Sequence, residues 1–156
     1  MRKWLKHLKN QKGLTLIELL AVVVILGIIA AIAVPAIGNI IDNSKDDAHR
    51  SNALLIINAA KLGIVSGEIK QSASTSTTIT LNQLVSAGVL DSVPSDPSVK
   101  GKTYHVTNSL VTYTPATGNK NAFYKITLVE NVSNGTKYYD NVTEANLNKD
   151  LAPTTP

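Results

Sequence analysis

The sequence predicts an α+β protein in which one long amino-terminal helix, about residues 14–70, packs on a small antiparallel sheet of three or four strands. Three observations carry this expectation. Residues 19–41 hold no charged side chain. Apolar residues then recur at helical spacing to about residue 70, with no proline between Pro35 and Pro94. Beyond residue 100, runs rich in Tyr, Val, Ile and Thr alternate with turn-forming residues, the pattern of strands.

The charge-free stretch runs from Leu19 to Ile41. At ~1.5 Å per residue it makes ~35 Å of helix, enough for a hydrocarbon core of about 30 Å. Arg2, Lys3, Lys6, Lys9 and Lys12 all precede Gly13, in a tip that contains no acid. Only Lys45 and Arg50 follow the apolar stretch closely. The positive-inside rule therefore puts the amino terminus in the cytoplasm and the rest of the chain, after Asp42, outside. The formal charge of +4 belongs to that basic tip, since beyond Gly13 the acids outnumber the lysines and arginines by one.

Past the apolar stretch, the pairs Asp42/Lys45 and Asp46/Arg50 support helix at a few tenths of a kcal/mol each. Ala53, Ile57, Ala60 and Ile64 form one apolar stripe, and Leu55, Ala59, Leu62 and Ile69 a second. This is more apolar surface than one packing face requires, so the second stripe either broadens the face under a globular head or meets other copies of the same helix. Residues 71–78 (QSASTSTT) read as a polar linker. Leu81 to Leu90 reads as a short helix capped by Thr80 and closed around Gly88, followed by a loop over 91–101 with two prolines. Tyr104–Thr107, Leu110–Thr114, Ala122–Asn131 and Thr136–Val142 read as strands, the last two joined at Asn134-Gly135, a two-residue hairpin signal. The end, from about Asn146 to Pro156, has little to bury. The resulting divisions are a basic leader (1–13), a membrane and polymerisation helix (14–41), the outer half of that helix (42–70) and a β-rich head with a loose tail (71–156).

The segment Gly13-Leu14-Thr15-Leu16-Ile17-Glu18 is the most informative. A carboxylate near the start of a membrane helix costs about 2.5–3.5 kcal/mol on insertion scales, so Glu18 needs a partner. No cation lies in the apolar segment. Cleavage after Gly13 would create one, the α-amino group of Leu14, at a similar depth, and a neighbouring subunit staggered by one step could present it.

A short basic leader, then GLTLIE, then an apolar helix containing Gly27 and Pro35, resembles the type IV pilins and the related pseudopilins of type II secretion and DNA uptake. The resemblance is close from the leader to the neighbourhood of Arg50. It implies a type IV pilin-like fold, cleavage between Gly13 and Leu14 by a prepilin peptidase, and N-methylation of Leu14, although the usual first mature residue there is Phe. It implies that Glu18 pairs with the amino terminus of an adjacent subunit during filament growth, and that Gly27 and Pro35 form a weak section of helix that bends or melts on packing. Subunits that cap a filament tip often lack the acid, so Glu18 points to the shaft. The implied partners are further copies of the chain, the peptidase, membrane lipid before assembly, and an inner-membrane platform protein with its cytoplasmic assembly ATPase. The implied location is a single-pass membrane precursor and then an extracellular filament. With no cysteine, the chain lacks the disulfide that fastens many Gram-negative pilins, which fits pilins of Gram-positive bacteria or pseudopilins.

Other classes fare less well. An ordinary signal peptide ending at Ala31-Ile32-Ala33, or a plain anchor for a surface binding module that never polymerises, accounts for the apolar stretch but not for Gly13 and Glu18. Absence of cysteine removes thiol catalysis and Cys-ligated metal. His49 and His105 are isolated in sequence and there is no Gly-rich phosphate loop, so neither enzyme activity nor a metal or cofactor is expected. Asp140, Asn141, Glu144, Asn146 and Asp150 follow no calcium-loop spacing. Asn131, Asn134 and Asn141 begin N-x-Ser/Thr triplets in a region rich in Asn and Thr. From Gln71 onward six lysines balance six acids, leaving little electrostatic drive toward nucleic acid. The tyrosines and Phe123 are expected to serve the sheet core or subunit contacts.

Overall fold

The structure, a computed structural model, describes residues 15–132 and 135–149. The leader, Gly13, Leu14, Asn134 and the tail from Asp150 lie outside the described residues, and so do the readings made of them. The chain divides into two units between Asp42 and Asn43.

Helix α1, Leu16–Val65, contributes to both units. Among the described residues it begins at Leu16, with Thr15 as its N-cap, Oγ1 accepting from the Glu18 N–H. It ends at Val65 rather than near residue 70. Gly67 takes a left-handed φ of +81°, and the Ile69 N–H turns back to the Gly63 carbonyl at 2.9 Å, a helix stop for which glycine is the residue of least steric cost.

In the first unit the apolar side chains of α1 are bare on every face. Leu16, Ile25, Ile29, Ile32 and Ile40 are all exposed, and the helix is long and apolar enough to cross a membrane. At ~1.5–3 kcal/mol per large apolar side chain, such a surface is stable only when something other than water covers it.

The second unit has its own core. Strands β1 (Thr77–Thr80), β2 (Leu110–Thr114), β3 (Phe123–Val129) and β4 (Lys137–Thr143) form one antiparallel sheet in the order β1-β2-β3-β4. Ala53, Ile56, Ile57 and Ala60 of α1 are buried in one cluster with Ile79, Val111, Ile126 and Leu128 of the sheet. The short helix α2, Leu81–Ser86, adds Leu81 and Leu84 to it, and α3, Glu144–Leu147, adds Leu147. The expected cap of α2 is present as a reciprocal box: Thr80 Oγ1 accepts from the Gln83 N–H at 3.3 Å, and Gln83 Oε1 accepts from the Thr80 N–H at 2.9 Å.

The structure corrects the sequence reading in four further places. The polar linker stops short, because Thr77 and Thr78 already pair with Tyr113 and Thr112; β-branched threonine suits an edge strand as well as a loop. Tyr104–Thr107 is not a strand. Tyr104 makes one bridge to Glu130, and the His105 ring then accepts the N–H groups of Thr107 and Asn108, both at 3.3 Å, folding the chain into a turn. The connection between β3 and β4 is longer than a two-residue hairpin: the last rung is Val129↔Lys137, beyond which the Glu130 N–H reaches the Thr136 carbonyl. The second apolar stripe is split, with Ala59 buried in the head while Leu55 and Leu62 remain 50% and 56% exposed.

Strand β4 also departs from simple alternation. Its register against β3 slips twice, between Ile126 and Leu128 and again between Leu128 and Val129, with Asn141 at φ +58°. Each slip inserts an extra β4 residue. As a result Tyr138 and Tyr139, adjacent in sequence, are both buried.

Candidate functional site

Glu18 lies in the first turn of α1, at the third helical position after the N-cap Thr15. Its Oε2 accepts from the Thr15 N–H at 3.3 Å and lies 3.4 Å from Thr15 Oγ1, while Thr15 Oγ1 accepts from the Glu18 N–H at 3.3 Å. This is a capping box, and the carboxylate also sits where the positive end of the helix dipole favours it. The whole box lies on the carboxyl side of the expected cut, so removing residues 1–13 takes none of its atoms away. Sequence reasoning missed this local partner, although Thr-x-x-Glu is legible as a helix start.

Further along α1, a Cβ built on Gly27 would meet no atom within 4 Å, so no contact among the described residues requires glycine there. Pro35 lies inside the helix, and its missing N–H deprives the Ala31 carbonyl of the usual donor.

The second unit contains a buried polar cluster that the sequence reading, which takes His49 as isolated, did not find. His49 is 1% exposed. Its Nδ1 is 2.7 Å from the Tyr104 hydroxyl and its Nε2 2.9 Å from Ser98 Oγ. The Tyr138 ring stacks on the imidazole with centroids 3.9 Å apart. The Tyr138 hydroxyl donates to Asp96 at 2.9 Å, and Asp96 Oδ1 also accepts from the Ser98 N–H at 2.8 Å and lies 4.0 Å from His49 Nε2. Asn52 Nδ2 donates to the Tyr104 hydroxyl and to the Ser95 carbonyl, both at 3.2 Å. Loop 91–103 is thereby tied to α1 and β4. The available signal was position: His49 extends the stripe of Ala53, Ile57 and Ala60 by one turn, and a histidine on a core stripe has to find partners.

Electrostatics follow from burial. Desolvation holds the His49 imidazole below its ordinary value, against the opposing pull of Asp96 and Asp46. Burial raises the Tyr104 and Tyr138 hydroxyls, with Asp96 contributing to both, and pushes Tyr139 up to about 12. The Tyr139 hydroxyl is buried and has no hydrogen-bond partner among the described residues.

A serine bonded to a histidine is the arrangement of an activated nucleophile, yet the bonding here assigns the opposite tautomer. Asn52 donates to the Tyr104 oxygen, so the Tyr104 proton goes to Nδ1. The imidazole proton is then on Nε2, donated toward Ser98 and facing Asp96. That nitrogen has no lone pair with which to take a proton from Ser98, and the cluster works as a structural tie.

Among the described residues no group of three or more His, Cys, Asp or Glu is placed to hold a metal ion. Two of the acids considered for calcium are bonded to lysines: Glu144 to Lys61, which also lies over the Tyr124 ring, and Asp140 to Lys137.

No solved structure matches the chain. Residues 8–34 match the family described as the prokaryotic N-terminal methylation motif, a span that takes in Gly13, Leu14, Glu18 and Gly27 and stops just short of Pro35. With that segment opening the long helix, and with the outer part of the helix packed on an open four-stranded antiparallel sheet, the chain is similar to type IV prepilins in its amino-terminal motif and in its α+β, pilin-like arrangement.

Proposed function

We propose that the chain is the structural subunit of a type IV pilus or pilus-like filament. A prepilin peptidase cuts between Gly13 and Leu14, the new Leu14 amine is methylated, and Glu18 receives the amine of a neighbouring subunit as each copy leaves the membrane. Gly27 and Pro35 give the helix a weak section on which packing can act. Assembly engages a membrane platform protein and a cytoplasmic ATPase, and the β-rich heads form the outside of the fibre.

The observation that carries this reading is the apolar surface of α1 over residues 16–41, bare on all faces and directly behind the start of the methylation motif. Lipid covers such a surface before assembly, and packed copies of the same helix cover it afterwards. Leu55 and Leu62, exposed on the outer part of the helix, would extend that packing. Electron microscopy of material sheared from expressing cells, with mass spectrometry of its amino terminus, tests the proposal. Long fibres containing chains that begin at methylated Leu14 are expected. Only short fibres appearing on overexpression would favour the pseudopilin alternative, and a processed chain that never leaves the membrane would overturn polymerisation.

A further inference from the structure

We propose that loop 91–103 is held on α1 by a latch that opens on acidification, with His49 as the group that takes up the proton. The inference stands on the geometry of the second unit and is independent of the assembly role.

In the closed state every member of the cluster has a partner. Because Nε2 already carries the imidazole proton, an added proton must enter at Nδ1. Among the described residues the hydrogen-bond partner of that nitrogen is the Tyr104 hydroxyl at 2.7 Å, which donates to it. Protonation turns this bond into two opposed donors. The Tyr104 proton must then swing away inside a core where Tyr104 is fully buried and where its oxygen already accepts from Asn52.

The surrounding charges do not rescue the imidazolium at that nitrogen. From the loop, Asp96 faces Nε2 and already accepts from Tyr138 and from the Ser98 N–H. From α1, Asp46 acts on His49 from a distance, and Arg50, the next residue along, pairs with Asp47. From β4, Tyr138 presents a ring face. Opening lets water solvate the imidazolium and frees Tyr104 and Ser98 together.

The sign follows from linkage. The imidazole is harder to protonate in the closed state than in the open one, where it titrates near its ordinary value of 6.5. Closure is therefore at full strength above that pH and weakens about tenfold per unit below it, until the closed-state value is reached.

The test uses the full chain in detergent micelles. Hydrogen exchange, corrected for the intrinsic pH dependence of the rate, is followed between pH 7.5 and 5.0 at the Asp96, Lys102 and Tyr104 amides, which bond within the loop, and in β2 and β3 as internal reference. Loop protection is expected to fall steadily with pH across this range while the sheet holds. In His49→Gln the loop protection should no longer vary with pH. Protection in the native chain that does not change with pH, or a pH dependence that survives in His49→Gln, would overturn the latch. Should that variant fail to fold, the native His49 ring titration by NMR decides the matter: a value below 6.5 supports the latch and one at or above 6.5 refutes it.

Discussion

Glu18 makes two kinds of interaction that substitution can separate. In the subunit its carboxylate completes a capping box with Thr15; in the proposed filament the same carboxylate neutralises the amine of a neighbour. Glutamine preserves the box, because its side-chain oxygen accepts from the Thr15 N–H equally well, but it carries no charge. Alanine removes both interactions. Loss of a cap costs ~1 kcal/mol, or less than about tenfold in an association constant. Leaving an ammonium unpaired in apolar surroundings costs ~3–5 kcal/mol, which is about 10²- to 10³-fold or more per subunit added. Cleavage and methylation should proceed in both variants, since Gly13 and Leu14 are untouched. Sheared filament, measured against processed subunit remaining in the membrane, should therefore collapse in Glu18→Gln nearly as far as in Glu18→Ala. If Glu18→Gln assembles like the native chain while Glu18→Ala is only mildly reduced, the carboxylate is a helix cap and the charge-pairing argument is wrong.

Replacing Gly13 with a bulky residue such as Phe should leave a precursor heavier by the mass of the uncut leader, and normal maturation by mass would refute the cleavage assignment. Tyr104→Phe leaves His49 Nδ1 and one Asn52 N–H without partners inside the core, at ~1–3 kcal/mol. That corresponds to a fall in Tm of roughly 5–15 °C for a head of this size, and an unchanged melt by circular dichroism would show that the cluster contributes nothing to stability. Leu62→Glu should leave the melt within about 0.5 kcal/mol of native, because the side chain is 56% exposed, while reducing filament yield. Full yield would show that this face of α1 meets no other copy.

The long helix is readable from sequence because its determinants are local and periodic: an uncharged run, stripes at three- and four-residue spacing, and no proline past Pro35. Its carboxyl end is not, since Gly67 acts through backbone geometry that composition reveals only weakly. Leu110–Thr114 is a strand over the full span expected, and the Thr80 cap of α2 is legible because a capping box is written in four consecutive residues. Strand β1 escapes the sequence reading because its side chains, three threonines and one isoleucine, look alike in an edge strand and in a linker. Tyr104–Thr107 fails as a strand because the His105 ring competes for the same backbone N–H groups, a contact that strand propensity does not describe.

For function, the sequence by itself determined the resemblance to type IV prepilins and the few residues on which the proposed processing rests, because leader, Gly13, Glu18 and apolar helix are contiguous. What only the tertiary structure decided lies in the head. His49, the Asp96–Tyr104 segment and Tyr138 come from three stretches far apart in the chain, and nothing in their spacing brings them together. Their meeting depends on α1 offering His49 on its buried stripe, on a proline-bearing loop returning to cover it, and on a double bulge in β4 that turns Tyr138 inward beside Tyr139. Each of these is set by packing between elements distant in the chain.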